Sequence, residues 1–143
     1  FNPEERAVMN QHPQIGAEIL GRSRIPLFTA AAEVALSHHE RWDGSGYPGG
    51  VSGAAIPLSG RIVAVVDFFD ALTMDRCYRP AFEDHVALEM LIEQRGRAFD
   101  PLVVDTFVEH ATDLIELRDQ VNLQKLDFED LCGGGDPFVR RGD

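Results

Sequence analysis

A chain of 143 residues with 44 % apolar content is long enough to bury one core, and its composition is that of an ordered globular protein. Its net charge of −11, from 24 acids against 13 bases, repels polyanions and argues against a DNA or RNA polymer as partner. No apolar run approaches the ~20 residues that span a bilayer, no charged-apolar-small leader opens the chain, and Cys77 and Cys132, in no CxxC pair, fit a reducing cytoplasm.

Asn2-Pro3-Glu4-Glu5 reads as a helix start: Asn2 can cap, Pro3 sits where its missing N–H costs nothing, and Glu5 completes a capping box. A helix that begins directly after Phe1 leads us to expect a piece of a longer polypeptide. Pro13 cannot donate to the carbonyl of Met9, so the helix should kink or restart near His12-Pro13. Ile15, Ile19 and Leu20 continue an apolar stripe until Gly21. From Leu27 to Glu40 the run is Ala-rich, with Phe28, Ala31, Ala32, Ala35 and Leu36 on one face, and it delivers His38 and His39 at its end. Six glycines and two prolines then fall between residues 41 and 60, the composition of a long ordered loop that carries function.

Ser59 is placed to cap the next helix, roughly Gly60 to Met74, which is apolar nearly all round and so is expected to be central and buried. Further helices are predicted from about Asp84 to Gln94 and from Pro101 to about Leu117, the latter opened by Asp100-Pro101 as cap and first-turn proline. After Leu131, the stretch Cys-Gly-Gly-Gly-Asp-Pro has little to bury, so residues 131–143 are expected to form a flexible tail. There is no repeat and no alternating strand pattern, and the class is all-α.

Adjacent residues on a helix point about 100° apart. His38 and His39 therefore suit two neighbouring metals, or one metal met where the helix ends; two capping or surface histidines are the plain alternative. Asp67, in the middle of the most apolar helix, is costly there unless paired, hydrogen-bonded or on a metal. Asp70 shares its face, so a cation is expected nearby; a structural ion pair with Arg61 or Arg76 is the alternative. Tyr47, Arg76 and Arg79 form a second set, an aromatic face for a base and planar guanidiniums for phosphate, against the simpler view that the arginines balance an acidic protein. Trp42, alone after a helix, reads as a packing anchor. His85 and His110 fall on predicted helix surfaces and take no role.

The run His38-His39-Glu40-Arg41-Trp42-Asp43-Gly44-Ser45-Gly46-Tyr47-Pro48 closely resembles the signature of the HD-GYP family, cyclic-di-GMP phosphodiesterases within the HD phosphohydrolase superfamily. Pro57-Leu58-Ser59-Gly60-Arg61, Asp67 with Asp70-Ala71-Leu72-Thr73, Asp75-Arg76-Cys77-Tyr78-Arg79-Pro80 and Phe99-Asp100-Pro101 resemble later pieces of that family, in its order. The resemblance covers residues 2–110 and implies part of an HD-domain-like helical bundle, about six helices with a long Gly-Tyr-Pro loop, over residues 1–130. His12-Pro13-Gln14-Ile15-Gly16 matches the family's His-Pro-x-x-Gly helix, and by resemblance His12, His38, His39 and Asp67 correspond to metal ligands. Mixed imidazole and carboxylate suit iron, manganese or zinc; the resemblance favours iron or manganese and leaves the number of ions open. It also implies Asp70 and Arg76 as catalytic, and Tyr47, Asp70, Arg76 and Arg79 as substrate-binding. The implied reaction is metal-dependent hydrolysis of cyclic di-GMP to linear pGpG and/or GMP, a step of bacterial second-messenger signalling in the cytoplasm.

The His-Asp doublet that names the superfamily would fall upstream of Phe1. The expectation is a truncated piece of an active phosphodiesterase, inactive in isolation. The competing expectation is a catalytically incomplete nucleotide-binding or protein-interaction module of the same fold. A mononucleotide hydrolase of the superfamily is a third, which the Gly-Tyr-Pro loop argues against. An upstream receiver or sensory domain, and protein partners at the Gly-Tyr-Pro loop, are the family-type partners.

Overall fold

The computed structural model of the chain, which describes residues 2–75 and 79–123, is all-helical: seven α-helices and a 3-10 turn over Gly53–Ala55, with no strand among the described residues. Helix α1 (Pro3–Met9) begins as its sequence dictates. The Asn2 side chain accepts from the Glu5 amide at 2.8 Å, and the Glu5 carboxylate accepts from the Asn2 amide at 2.9 Å. This reciprocal capping box satisfies two amides that the helix leaves unpaired. Pro13 then interrupts the ladder, and α2 (His12–Gly21) restarts with that proline in its first turn. Helix α3 (Pro26–Ser37) ends short of Glu40, so His38 is its C-cap and His39 and Glu40 leave the helix.

Helix α2 packs along α3, and α3 on α4 (Leu58–Thr73), which also meets α5 (Asp84–Glu93) and α6 (Pro101–Glu109). Close crossings need small residues. Gly16 faces Ala35 between α2 and α3, and Gly60 faces Ser37 between α3 and α4. Val65, Leu91 and Val104 are fully buried, with Phe69, Phe99 and Phe107 around them. The tilted ring pairs Phe68–Phe99 and Phe69–Phe107 meet at 5.0 and 5.1 Å, each adding about 0.5–1.5 kcal/mol beyond its area.

Three expectations are corrected. Ser59 does not cap α4, which starts at Leu58 with Pro57 in the N-cap position; the Ser59 hydroxyl donates instead to the Glu33 carboxylate of α3 at 2.6 Å. Nor is α4 buried all round. Gly60, Val65 and Phe69 are buried, whereas Ile62, Val66, Asp67 and Asp70 are exposed. Residues 62, 66 and 70 share one exposed stripe at helical spacing. The single helix predicted from Pro101 to Leu117 is two: α6 ends at Glu109, and α7 (Ala111–Leu123) opens a new ladder in which the Leu114 amide donates to the His110 carbonyl.

Residues 1–109 form one compact unit and residues 110–143 a second, of which only His110 and residues 111–123, with α7, are described. Helix α7 has an acid, Asp113, in its first turn. The boundary expected at residue 130 and the tail after it lie outside the described residues, as do Arg76, Cys77 and Cys132.

Candidate metal centre

His12 opens α2 directly after the last turn of α1, and its Nδ1 lies 2.7 Å from the Met9 carbonyl. His38 caps α3, and its Nδ1 lies 2.9 Å from the Ala35 carbonyl and 3.1 Å from that of Val34. Met9 and Ala35 offer carbonyls that a helix C-terminus leaves without ladder partners, and both rings use them. A carbonyl only accepts, so Nδ1 carries a proton on each ring, and in the neutral imidazole that leaves the lone pair on Nε2. Those two Nε2 atoms face each other at 3.4 Å. Two lone pairs so placed repel unless a cation sits between them. Nitrogens bound at ~2.0–2.1 Å to one tetrahedral ion are about 3.3–3.4 Å apart, so the spacing fits a shared metal.

His39 supplies the third imidazole. Its ring centroid lies 4.0 Å from that of His38 and 4.9 Å from that of His12, and one ligand atom of each of the three falls within 4.8 Å of the others. Burial, then the neighbouring His38 and His12, pull the His39 pKa down to about 4, with Asp67 opposing. It is neutral at pH 7, the state that ligates a metal.

Asp67 is exposed on α4 and lines the same cleft as His39, but its carboxylate stands outside the tight group of three imidazoles. Asp70, one turn on, is exposed and is not part of that lining. Arg61, the alternative partner for Asp67, is engaged elsewhere: it donates to the Asp100 carboxylate at 2.6 Å and to the Ile56 carbonyl at 2.9 Å. Asp100, only 4 % exposed, also accepts from the Leu102 amide at 2.8 Å, as its capping position predicts.

The Gly-rich loop closes over His39. Glu40 is 7 % exposed, and its carboxylate accepts from the Gly49 amide at 2.6 Å and the Val51 amide at 2.9 Å. Gly46 lies so close to the backbone of His39, Glu40 and Arg41 that no Cβ would fit. The Tyr47 amide donates to the His39 carbonyl at 3.1 Å, and the Tyr47 ring stacks on the His39 ring at 4.9 Å. Burial raises the Tyr47 pKa against the opposing charge of Arg6, so Tyr47 is a neutral phenol at pH 7. The Trp42 amide donates to the Ala98 carbonyl at 2.9 Å, which ties the loop to residue 98, and the Arg61 guanidinium lies 5.9 Å over the Trp42 ring. The result is an open cleft of about 380 Å³ whose lining includes His39, Ser45, Tyr47, Asp67, Phe68 and Phe99.

Arg79 is not brought into this cleft. Its guanidinium donates to the carbonyls of Ala71 (2.9 Å), Leu72 (3.3 Å) and Pro80 (3.1 Å), holding the end of α4, and lies 4.3 Å over Phe82. Arg76 lies outside the described residues. Sequence reasoning gave Glu40 no role. The available signal was an acid at the head of a Gly-rich loop, where amides lack ladder partners. Nothing in the sequence placed the charge of Arg6 near Tyr47. Three imidazoles, one of them lining a cleft with the Asp67 carboxylate, fit a divalent transition metal.

Known proteins share this arrangement of sequence. The family model described as HD domain matches residues 1–103. The chain is 45 % identical over 118 residues to the 3′3′-cGAMP-specific phosphodiesterase 2 of Vibrio cholerae, covering 82 % of this chain and 23 % of that protein. It is 48 % identical over 117 residues to the cyclic di-GMP phosphodiesterase response regulator RpfG of Xanthomonas campestris, covering 82 % and 31 %. A crystal structure of the cyclic GMP-AMP specific phosphodiesterase V-cGAP3 of V. cholerae matches with a TM-score of 0.60 at 28 % identity, over 80 % of this chain and 26 % of that one. The chain therefore spans less than a third of the length of each of these relatives.

Proposed function

The chain belongs to the HD-GYP family of the HD-domain phosphohydrolases, and from that premise we propose that it carries the metal-binding part of a phosphodiesterase acting on a cyclic dinucleotide, cyclic di-GMP first of all, with linear pGpG and/or GMP as product. One observation carries the proposal: His12 and His38 aim two lone pairs at each other across 3.4 Å, with His39 beside them and a Tyr47-walled cleft adjoining.

Iron or manganese is the ion assigned here, with His12, His38, His39 and Asp67 as the residues that would hold it; when bound it supplies Lewis acidity towards a phosphodiester and towards water. The Met9 and Ala35 carbonyls keep His12 and His38 in the tautomer that offers Nε2. Tyr47 presents an aromatic surface to a base, and its phenol proton is available to a phosphate oxygen. Asp70 and Arg76 are assigned to the reacting phosphate, where a guanidinium would meet charge developing on the non-bridging oxygens. Arg79 is assigned to substrate binding at the cost of releasing the α4 carbonyls it now holds.

Relatives named for cyclic di-GMP and for 3′3′-cGAMP match at similar identity, 48 % and 45 %. Guanine is common to both dinucleotides, so the second base is what an assay must decide. A cytoplasmic setting, a receiver or sensory domain in the same polypeptide and a protein partner at the Gly-Tyr-Pro loop belong to the same proposal. Among the described residues no helix is long and apolar enough to cross a membrane.

The test takes the natural gene product containing this sequence, loaded with manganese or reduced iron, and follows cyclic di-GMP and 3′3′-cGAMP to linear dinucleotide and mononucleotide. Hydrolysis of cyclic di-GMP that disappears with a chelator supports the proposal. Dinucleotide binding with no hydrolysis under either metal would replace it with the catalytically incomplete binding module.

A further inference from the structure

Glu40 is a carboxylate with almost no access to water, 7 % exposed. A buried carboxylate persists only where donors meet both of its oxygens. Here they are backbone amides from the far side of the loop: Gly49 to Oε1 at 2.6 Å and Val51 to Oε2 at 2.9 Å. Between the ends of that tie, Gly46 rests on the Glu40 backbone and Tyr47 stacks on His39. Glu40 also stands between two spaces. It lines the cleft that holds His39 and Tyr47, and on the other side a cavity of about 320 Å³ whose lining includes Leu36, Pro48, Gly49 and Val51.

We infer that Glu40 is a positioning residue of the dinucleotide site, acting through Tyr47 by tying the Gly-Tyr-Pro loop to the end of α3 so that the Tyr47 ring stays on His39. That Tyr47 meets a dinucleotide rests on the function proposed above; the link between Glu40 and the Tyr47–His39 stack does not. Released from Glu40, residues 49–51 lose both amide anchors, and Tyr47 is left with a single backbone bond, 3.1 Å long, to His39. Both oxygens are needed. Glutamine keeps one acceptor but turns an N–H₂ towards the other amide, donor against donor, and aspartate is one methylene too short. Glu40 lies outside the tight group of three imidazoles, so its loss should leave the metal in place.

The test compares Glu40→Gln, Tyr47→Ala and the double variant, with Val51→Pro deleting one donor from the opposite end. In the metal-free 143-residue chain, the His39 ring protons feel the ring current of Tyr47. They should move in Glu40→Gln towards their positions in Tyr47→Ala, and part of the way in Val51→Pro. In the natural gene product, Glu40→Gln should raise KM for cyclic di-GMP about tenfold with kcat and metal affinity within about threefold of the parent, and add little to Tyr47→Ala. His39 resonances that stay put in both Glu40→Gln and Val51→Pro would overturn the inference. So would a kcat loss at unchanged KM, which would place Glu40 in the chemistry itself. If the parent neither binds nor cleaves a cyclic dinucleotide, the proposed function fails while the His39 resonances still decide the role of Glu40.

Discussion

Gly60 of α4 and Ser37 of α3 meet with no room between them for a methyl group. Ser37 immediately precedes His38, and its hydroxyl donates to the Glu33 carbonyl at 2.6 Å, so it has a fixed position from which to press on α4. The approach of α4 to α3 thereby sets where the end of α3 places its two imidazoles relative to Asp67.

Gly60→Ala should therefore destabilise the fold by about 1–3 kcal/mol, the usual cost of overpacking a close contact. Chemical denaturation reads this as a lower midpoint at unchanged slope. A variant as stable as its parent would show that the two helices separate freely at this point.

Removal of single ligands should separate the roles of the four proposed metal residues. His12→Ala and His38→Ala each remove one of the two facing Nε2 atoms, and manganese or zinc affinity, read by competition with a chelator, should fall at least about a hundredfold. Asp67→Asn should cost less, about tenfold, because its carboxylate lies outside the tight group of imidazoles. Equal losses at all three positions would show that Asp67 closes onto the ion when it binds.

The pH dependence follows from His39, whose pKa is lowered from 6.5 to about 4 by burial first and by the neighbouring imidazoles second. The fold favours its neutral form. As pH falls from about 6.5 to about 4 the unfolded chain takes up a proton that the folded chain refuses, so this group lowers stability through that window and has no effect above it. His39 is only partly buried, which keeps the loss modest. Denaturation midpoints of the metal-free chain at pH 7, 5 and 4, beside an NMR titration of His39, measure it. A His39 midpoint near 6.5, with the same stability slope in His39→Ala, would put the ring in water and remove the effect.

What was legible in the sequence was what is written locally. The Asn2–Glu5 capping box, the break at Pro13 and the arrival of two histidines at the end of α3 each depend on residues a few positions apart. Choices between distant partners were not legible. Arg61 could be weighed against Asp67, a near neighbour in sequence, yet it pairs with Asp100, 39 residues on. Arg79 has the right chemistry for phosphate, but the open carbonyls at the end of α4 compete for the same donors. The apolar run of α4 showed a helix without showing which face has neighbours, so Asp67 was expected in a core and is found at an open cleft.

The donor geometry limits what the 143-residue chain can do alone. A two-metal hydrolase holds its ions ~3.5–4 Å apart, each with its own ligands and usually with a shared one. The described residues of this chain bring three imidazoles to the spacing of a single ion. Asp67 is the carboxylate in reach of the same cleft, and Asp70 stands outside its lining. Two ions sharing three nitrogens and one oxygen would each be left with about half of the four ligands a stable site provides. The purified chain should therefore take up about one equivalent of manganese or reduced iron, weakly, and show no multiple-turnover hydrolysis of cyclic di-GMP. Isothermal titration gives the stoichiometry, and product chromatography after long incubation gives the turnover. Two equivalents bound with sustained formation of linear dinucleotide would mean that Asp70, or groups outside the described residues, complete a second site.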